Sequence, residues 1–165
     1  MAVGGLATIN GKVSAFAYVF DYTNCLIKSK MSWSSAIATS TLGIQGISFD
    51  VTDNTKLWMV AYEVSGTTVK EYLITSDYDA LSTASAFLVE TLTSGTNYGL
   101  KPTSIFGVNG NTGFIIGQKN LKSIDTSGTG PTVTADLIGA SGNTNRAAAA
   151  LDGNSNNVSF ELYLA

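Results

Sequence analysis

Apolar and polar residues alternate at a period of two along this chain, in short runs rich in Thr, Val, Ile, Tyr and Phe. Gly, Asn, Asp or Ser cuts these runs every six to ten residues. A period of two turns one face of each run to a core and the other to solvent, which is the pattern of a β-strand and not of a helix. The strands predicted on this basis cover 13–20, 25–30, 46–51, 57–64, 69–75, 86–92, 103–108, 113–118, 121–125, 133–138 and 158–164. The helix-forming stretch 146–151, Arg followed by four Ala and Leu, is too short to nucleate a helix and reads as a turn. The chain is therefore expected to be all-β and antiparallel.

The turns carry a second regularity. Asn10-Gly11, Asp53-Asn54, Asn109-Gly110 and Asp152-Gly153 are pairs that tolerate the positive φ of two-residue hairpins, and they begin 43, 56 and 43 residues apart. The second and third units superpose without a gap at an offset of 57, pairing Phe49 with Phe106, Val51 with Val108, Asn54 with Asn111, Thr55 with Thr112, Leu57 with Phe114 and Met59 with Ile116. A third and a fourth strand follow each of the first three hairpins, with 35–42 supplying the fourth strand of the first unit. A four-stranded unit of this length is that of a propeller blade. The 165 residues then form one all-β domain of about three and a half propeller-like units, 4–42, 43–99, 100–140 and a terminal hairpin over 147–165. A β-sandwich or jelly roll would serve the same alternation.

Composition excludes several chemistries. There is no His, so a His-based triad cannot form, and one Cys cannot make a disulfide or a thiolate zinc site. That residue, Cys25, reads as a small buried apolar side chain. Nine basic residues dispersed among twelve acidic ones make no phosphate-neutralising patch, so nucleic acid is not an expected partner. The start of the chain lacks the basic lead of a secretory signal, and the apolar run over 13–20 is too short to span a bilayer, so no membrane partner is expected either.

Candidate sites are few. The loop over 127–131 lacks the Gly-Lys-Ser/Thr of a phosphate cradle and runs into a strand, so it reads as a plain loop. Asp77 and Asp79 could form half of a carboxylate pair, but with nothing to place them in a cleft they read as a solvated connector. Asp50, Asp53 and Asn54 offer hard oxygen ligands near one turn without the ordered spacing of a calcium loop. No cofactor, metal or catalytic set emerges. Trp33, Tyr78 and Tyr98 sit in connectors, where aromatic rings can stack on a sugar or anchor a partner. Trp58, flanked by Leu57 and Met59 in a strand, is expected to be buried or between chains. The final strand presents Val158, Phe160, Leu162, Tyr163 and Leu164, and must pair with the first unit or with a neighbouring subunit to avoid leaving a sticky edge.

Gly46-Ile47-Ser48-Phe49, then Asn54-Thr55-Lys56-Leu57-Trp58-Met59-Val60, then Val69-Lys70-Glu71-Tyr72-Leu73-Ile74, and finally Leu81-Ser82-Thr83-Ala84-Ser85 follow one another in one unit. This order resembles a propeller-type repeat of virion proteins of marine and freshwater bacteriophages and of environmental bacterial surface proteins. The following unit keeps the hairpin, but Leu121-Lys122-Ser123-Ile124 lacks the tyrosine. The resemblance implies a fold and a particle context, and transfers no catalytic residue. Together with the low-charge, Ser-, Thr-, Asn- and Gly-rich composition, it leads to an expected non-enzymatic structural protein of a phage virion. Such a protein would decorate the capsid or form part of the tail, and its partners would be copies of itself and other virion proteins. The alternative expectation is a tail-tip module that binds a receptor or a host surface glycan.

Overall fold

A computed structural model of the chain describes residues 1–9, 11–34, 41–93, 102–117, 121–136, 147–151 and 160–164. The fold is all-β. Its strands are β1 (Ala2–Ile9), β2 (Lys12–Phe20), β3 (Ile27–Ser34), β4 (Thr41–Phe49), β5 (Lys56–Ser65), β6 (Thr68–Asp77), β7 (Ala86–Thr93), β8 (Pro102–Gly107), β9 (Thr112–Gly117), β10 (Leu121–Asp125), β11 (Thr132–Asp136), β12 (Ala147–Leu151) and β13 (Phe160–Leu164). A single 3-10 turn over Leu81–Thr83 joins β6 to β7. Strands adjacent in sequence pair antiparallel, giving a first sheet β1-β2-β3, a second β4-β5-β6-β7, a third β8-β9-β10-β11 and a fourth β12-β13.

The cores lie between successive sheets. Ala15, Ala17 and Val19 of β2 pack against Leu42 and Ile44 of β4 and against Leu57, Met59 and Ala61 of β5, with Ile74 and Leu81 completing the first seam. Trp58 and Val60 of β5 and Leu73 of β6 meet Ile105, Ile115 and Ile124 of the third sheet in the second seam. The unbroken apolar run from Leu57 to Tyr62 is thereby explained, because both faces of β5 are covered and alternation gives way to continuous burial. A smaller cluster, Phe106, Ile116 and Leu121, covers the other face of the third sheet. Faces stacked on faces in this way fit the sandwich alternative.

The offset of 57 is a structural equivalence as well as a sequence one. Phe49 pairs with Leu57 and Phe106 with Phe114, while Ile47 pairs with Met59 and Ser104 with Ile116. Gly46 lets β4 run close to β8, since a Cβ there would stand 2.9 Å from the backbone of Ser104 and Ile105.

Several local expectations are corrected. The stretch Ala147–Leu151 is strand β12 and not a turn, because pairing with β13 supplies the hydrogen bonds that a five-residue helix would have to find alone. Thr41 and Leu42 open β4 of the second sheet and do not end the first unit. The Asp53-Asn54 turn is part of a six-residue loop over 50–55, and the Asn109-Gly110 turn part of a four-residue loop over 108–111. Cys25 is exposed and adopts φ of 57°. The bend that reverses the chain between β2 and β3 puts it on the surface, where Asp21 N donates to Leu26 O at 2.9 Å and Leu26 N to Asn24 Oδ1 at 3.0 Å.

Candidate binding cleft

Asp50 organises the loop that follows β4. Its Oδ1 accepts hydrogen bonds from Thr52 N, Thr52 Oγ1 and Asp53 N at 2.9, 3.0 and 3.1 Å. Its Oδ2 accepts from Trp58 Nε1 at 2.9 Å and from Gly110 N at 2.8 Å, so one buried carboxylate ties the second sheet to the third. Burial alone would push its pKa up, yet the donors on Gly110, Thr52 and Trp58 outweigh that and hold the carboxyl below its ordinary range. Lys56 Nζ donates to Gly110 O and lies 5.3 Å from the Trp58 ring centre. Trp58 fits because the facing position is Gly107, where any Cβ would overlap the indole. With five donors aimed at it, Asp50 is committed to structure. Among the described residues, no group of three or more Asp, Glu, His or Cys could hold a metal ion.

The same loop forms one wall of a cleft of about 190 Å³ lined by Met1, Val19, Phe20, Asp21, Tyr22, Lys28, Phe49, Asn54 and Tyr78. Asp21 is held by Thr23, whose N and Oγ1 donate to Oδ1 at 2.9 and 2.6 Å. These bonds, with the nearby positive charge of Lys28, lower its pKa. Lys28 Nζ stands 3.9 Å from Asp21 Oδ2 and 5.7 Å from the Tyr78 ring centre. Tyr78 follows β6 directly, and its N–H donates to Thr55 O at 2.8 Å, which ties the connector's backbone to the loop.

The sequence-predicted aromatics therefore separate. Tyr78 is half-buried in the connector and lines the cleft. Trp33 is corrected: it belongs to β3, half-buried, because the strand runs on to Ser34 and turns the indole edge-on to Tyr72, with ring centres 4.6 Å apart. Tyr98 lies outside the described residues, as does Val158. Phe160, Leu162, Tyr163 and Leu164 belong to β13, whose register partners are Leu151, Ala149, Ala148 and Ala147 of β12. The terminal strand thus pairs within its own hairpin. Asp77, which ends β6 rather than lying in the connector, and Asp79, which follows in the connector, are both exposed.

Two features escaped the sequence reading. The cleft draws Phe20 from the end of β2, Asp21 and Tyr22 from the bend that follows and Lys28 from the start of β3, and no local pattern announces that this bend meets the 50–55 loop. The other is a buried ionic cluster. Lys122 of β10 lies 3.1 Å from Glu71 Oε1 on β6 and also contacts Glu90 of β7, bridging the third sheet to the second. Glu71 is fully buried, and its second oxygen has no hydrogen-bond partner. Burial raises its pKa, and Lys122 offsets that only in part. A signal existed here, because period two places Glu71 on the face of Val69 and Leu73, and Lys122 on that of Ile124.

No helix among the described residues is long and apolar enough to cross a membrane. No protein-family model, curated protein or solved structure matches the chain.

Proposed function

We propose that this chain is a non-enzymatic structural protein of a phage particle, a capsid decoration or tail component that assembles with copies of itself and with other particle proteins. We read its stacked sheets as propeller-like blades, since β1 packs on β4 and β4 on β8, first strand against first strand in chain order. The particle context comes from the likeness of the 43–99 unit to virion repeats, and the non-enzymatic character from a sequence without His and with a single Cys.

The observation that carries the assembly is β7. Among the described residues it is the outer strand of the second sheet, and it exposes the consecutive Phe87 and Leu88, one towards each face, at 41% and 50%. An outer strand with adjacent apolar side chains is a template for pairing with another chain. Sedimentation velocity is expected to show self-association that Leu88→Lys weakens by about tenfold or more, since a charge at a strand edge opposes pairing. A chain that stays monomeric at all accessible concentrations would refute the assembly reading. Quantitative mass spectrometry of purified particles tests the context: copy numbers near that of the capsid protein mean decoration, a handful mean a tail component, and absence refutes it.

A further inference from the structure

We infer that the cleft between the β2–β3 bend and the 50–55 loop is a saccharide-binding site that seats one pyranose ring. This inference is independent of self-assembly. The first observation is aromatic: Phe20, Tyr22, Phe49 and Tyr78 all line one small depression, and Tyr22 is 81% exposed there. A sugar ring has an apolar C–H face that packs on such rings and a rim of hydroxyls that needs polar partners.

The second observation is that these partners are present. Asp21 Oδ2 is an acceptor whose nearest cation is 3.9 Å away, Lys28 Nζ supplies donors, and the Asn54 carboxamide supplies both. Neighbouring hydroxyls of a sugar each donate and accept, and this mixed set answers both needs. A site for phosphate would need cations without the facing carboxylate, and a site for an ammonium group would need the reverse.

Size and rigidity complete the case. About 190 Å³ is well under the roughly 300–1,000 Å³ of pockets that enclose drug-sized ligands, so one ring fits and the rest of a glycan would extend into solvent. Parts of the walls are already held: Asp21 by Thr23, the Tyr78 backbone by its bond to Thr55 O, and the Asn54 loop by Asp50. A preformed site loses little entropy on binding.

The test is saturation-transfer NMR on the full chain with methyl glycosides of glucose, galactose, mannose and N-acetylglucosamine, and with N-acetylneuraminic acid. At least one probe is expected to receive signal, and Tyr22→Ala and Asn54→Ala are each expected to weaken its binding by about tenfold. Both side chains are exposed, so the unfolding temperature of each variant should match the parent. No transfer to any probe would overturn the inference. Transfer that both variants retain would overturn it too, by placing the sugar elsewhere.

Discussion

At the scale of single residues, Asp50 shows how much one carboxylate can organise. It is buried, it accepts from donors on both sides of the second seam, and it caps the loop that supplies Asn54 to the cleft. Asp50→Ala leaves the indole N–H of Trp58 and the amide of Gly110 without their acceptor, and is expected to cost about 3 kcal/mol, read from urea unfolding. Its folded pKa lies below the ordinary 3.8, so its contribution is complete above that value and is lost as pH falls through the lower folded value. The acid limb of a plot of unfolding temperature against pH should accordingly flatten in Asp50→Asn. The sequence pointed to Asp50 for the wrong reason. Hard oxygen near a turn suggests a cation, whereas backbone amides that converge only after folding satisfy this one. Cys25 is a similar case, since its surface position follows from a bend closed by Asp21 and Asn24 and not from its own polarity.

At the scale of elements, the strands were legible because alternation and turn residues are local signals. β2, β5, β6 and β7 each overlap a predicted run, and the 57-residue offset predicts the register of β4 on β5 from that of β8 on β9. Strand β12 was illegible because its Ala residues carry helix propensity, and only a partner strand overrides that preference. The cleft was illegible because its two walls come from bends about 30 residues apart in the chain whose meeting is set by sheet stacking. The Glu71–Lys122–Glu90 cluster belongs to this scale, since it links β6 and β7 to β10. Lys122→Met strands the Glu71 carboxylate in the core and is expected to cost about 3–5 kcal/mol, whereas Glu71→Leu combined with Lys122→Met should restore most of the loss. The Lys122 pKa is raised above 10.5, so its contribution is present below that value and lost as pH rises through the folded one. Circular dichroism melts across alkaline pH should show this loss in the parent and not in the double variant.

At the scale of the whole molecule, stability resides in the seams between sheets as much as in the sheets themselves. Strand pairing connects neighbours in sequence, while the two apolar seams, together with bridges such as those of Asp50, Lys56 and Lys122, hold sheet to sheet. Gly46→Ala tests this directly. Its new methyl group would meet the backbone of Ser104 and Ile105, which cannot rotate aside, so β4 and β8 must part. A cost of about 2–3 kcal/mol is expected in urea unfolding, with each sheet's own ladder left intact. The positions of the two tryptophans give these seams one more property. Trp33 sits against Tyr72 where the first sheet meets the second, and Trp58 is sealed where the second meets the third. Each junction thus carries its own fluorophore, and a pair of single-tryptophan chains could report by emission colour which junction opens first.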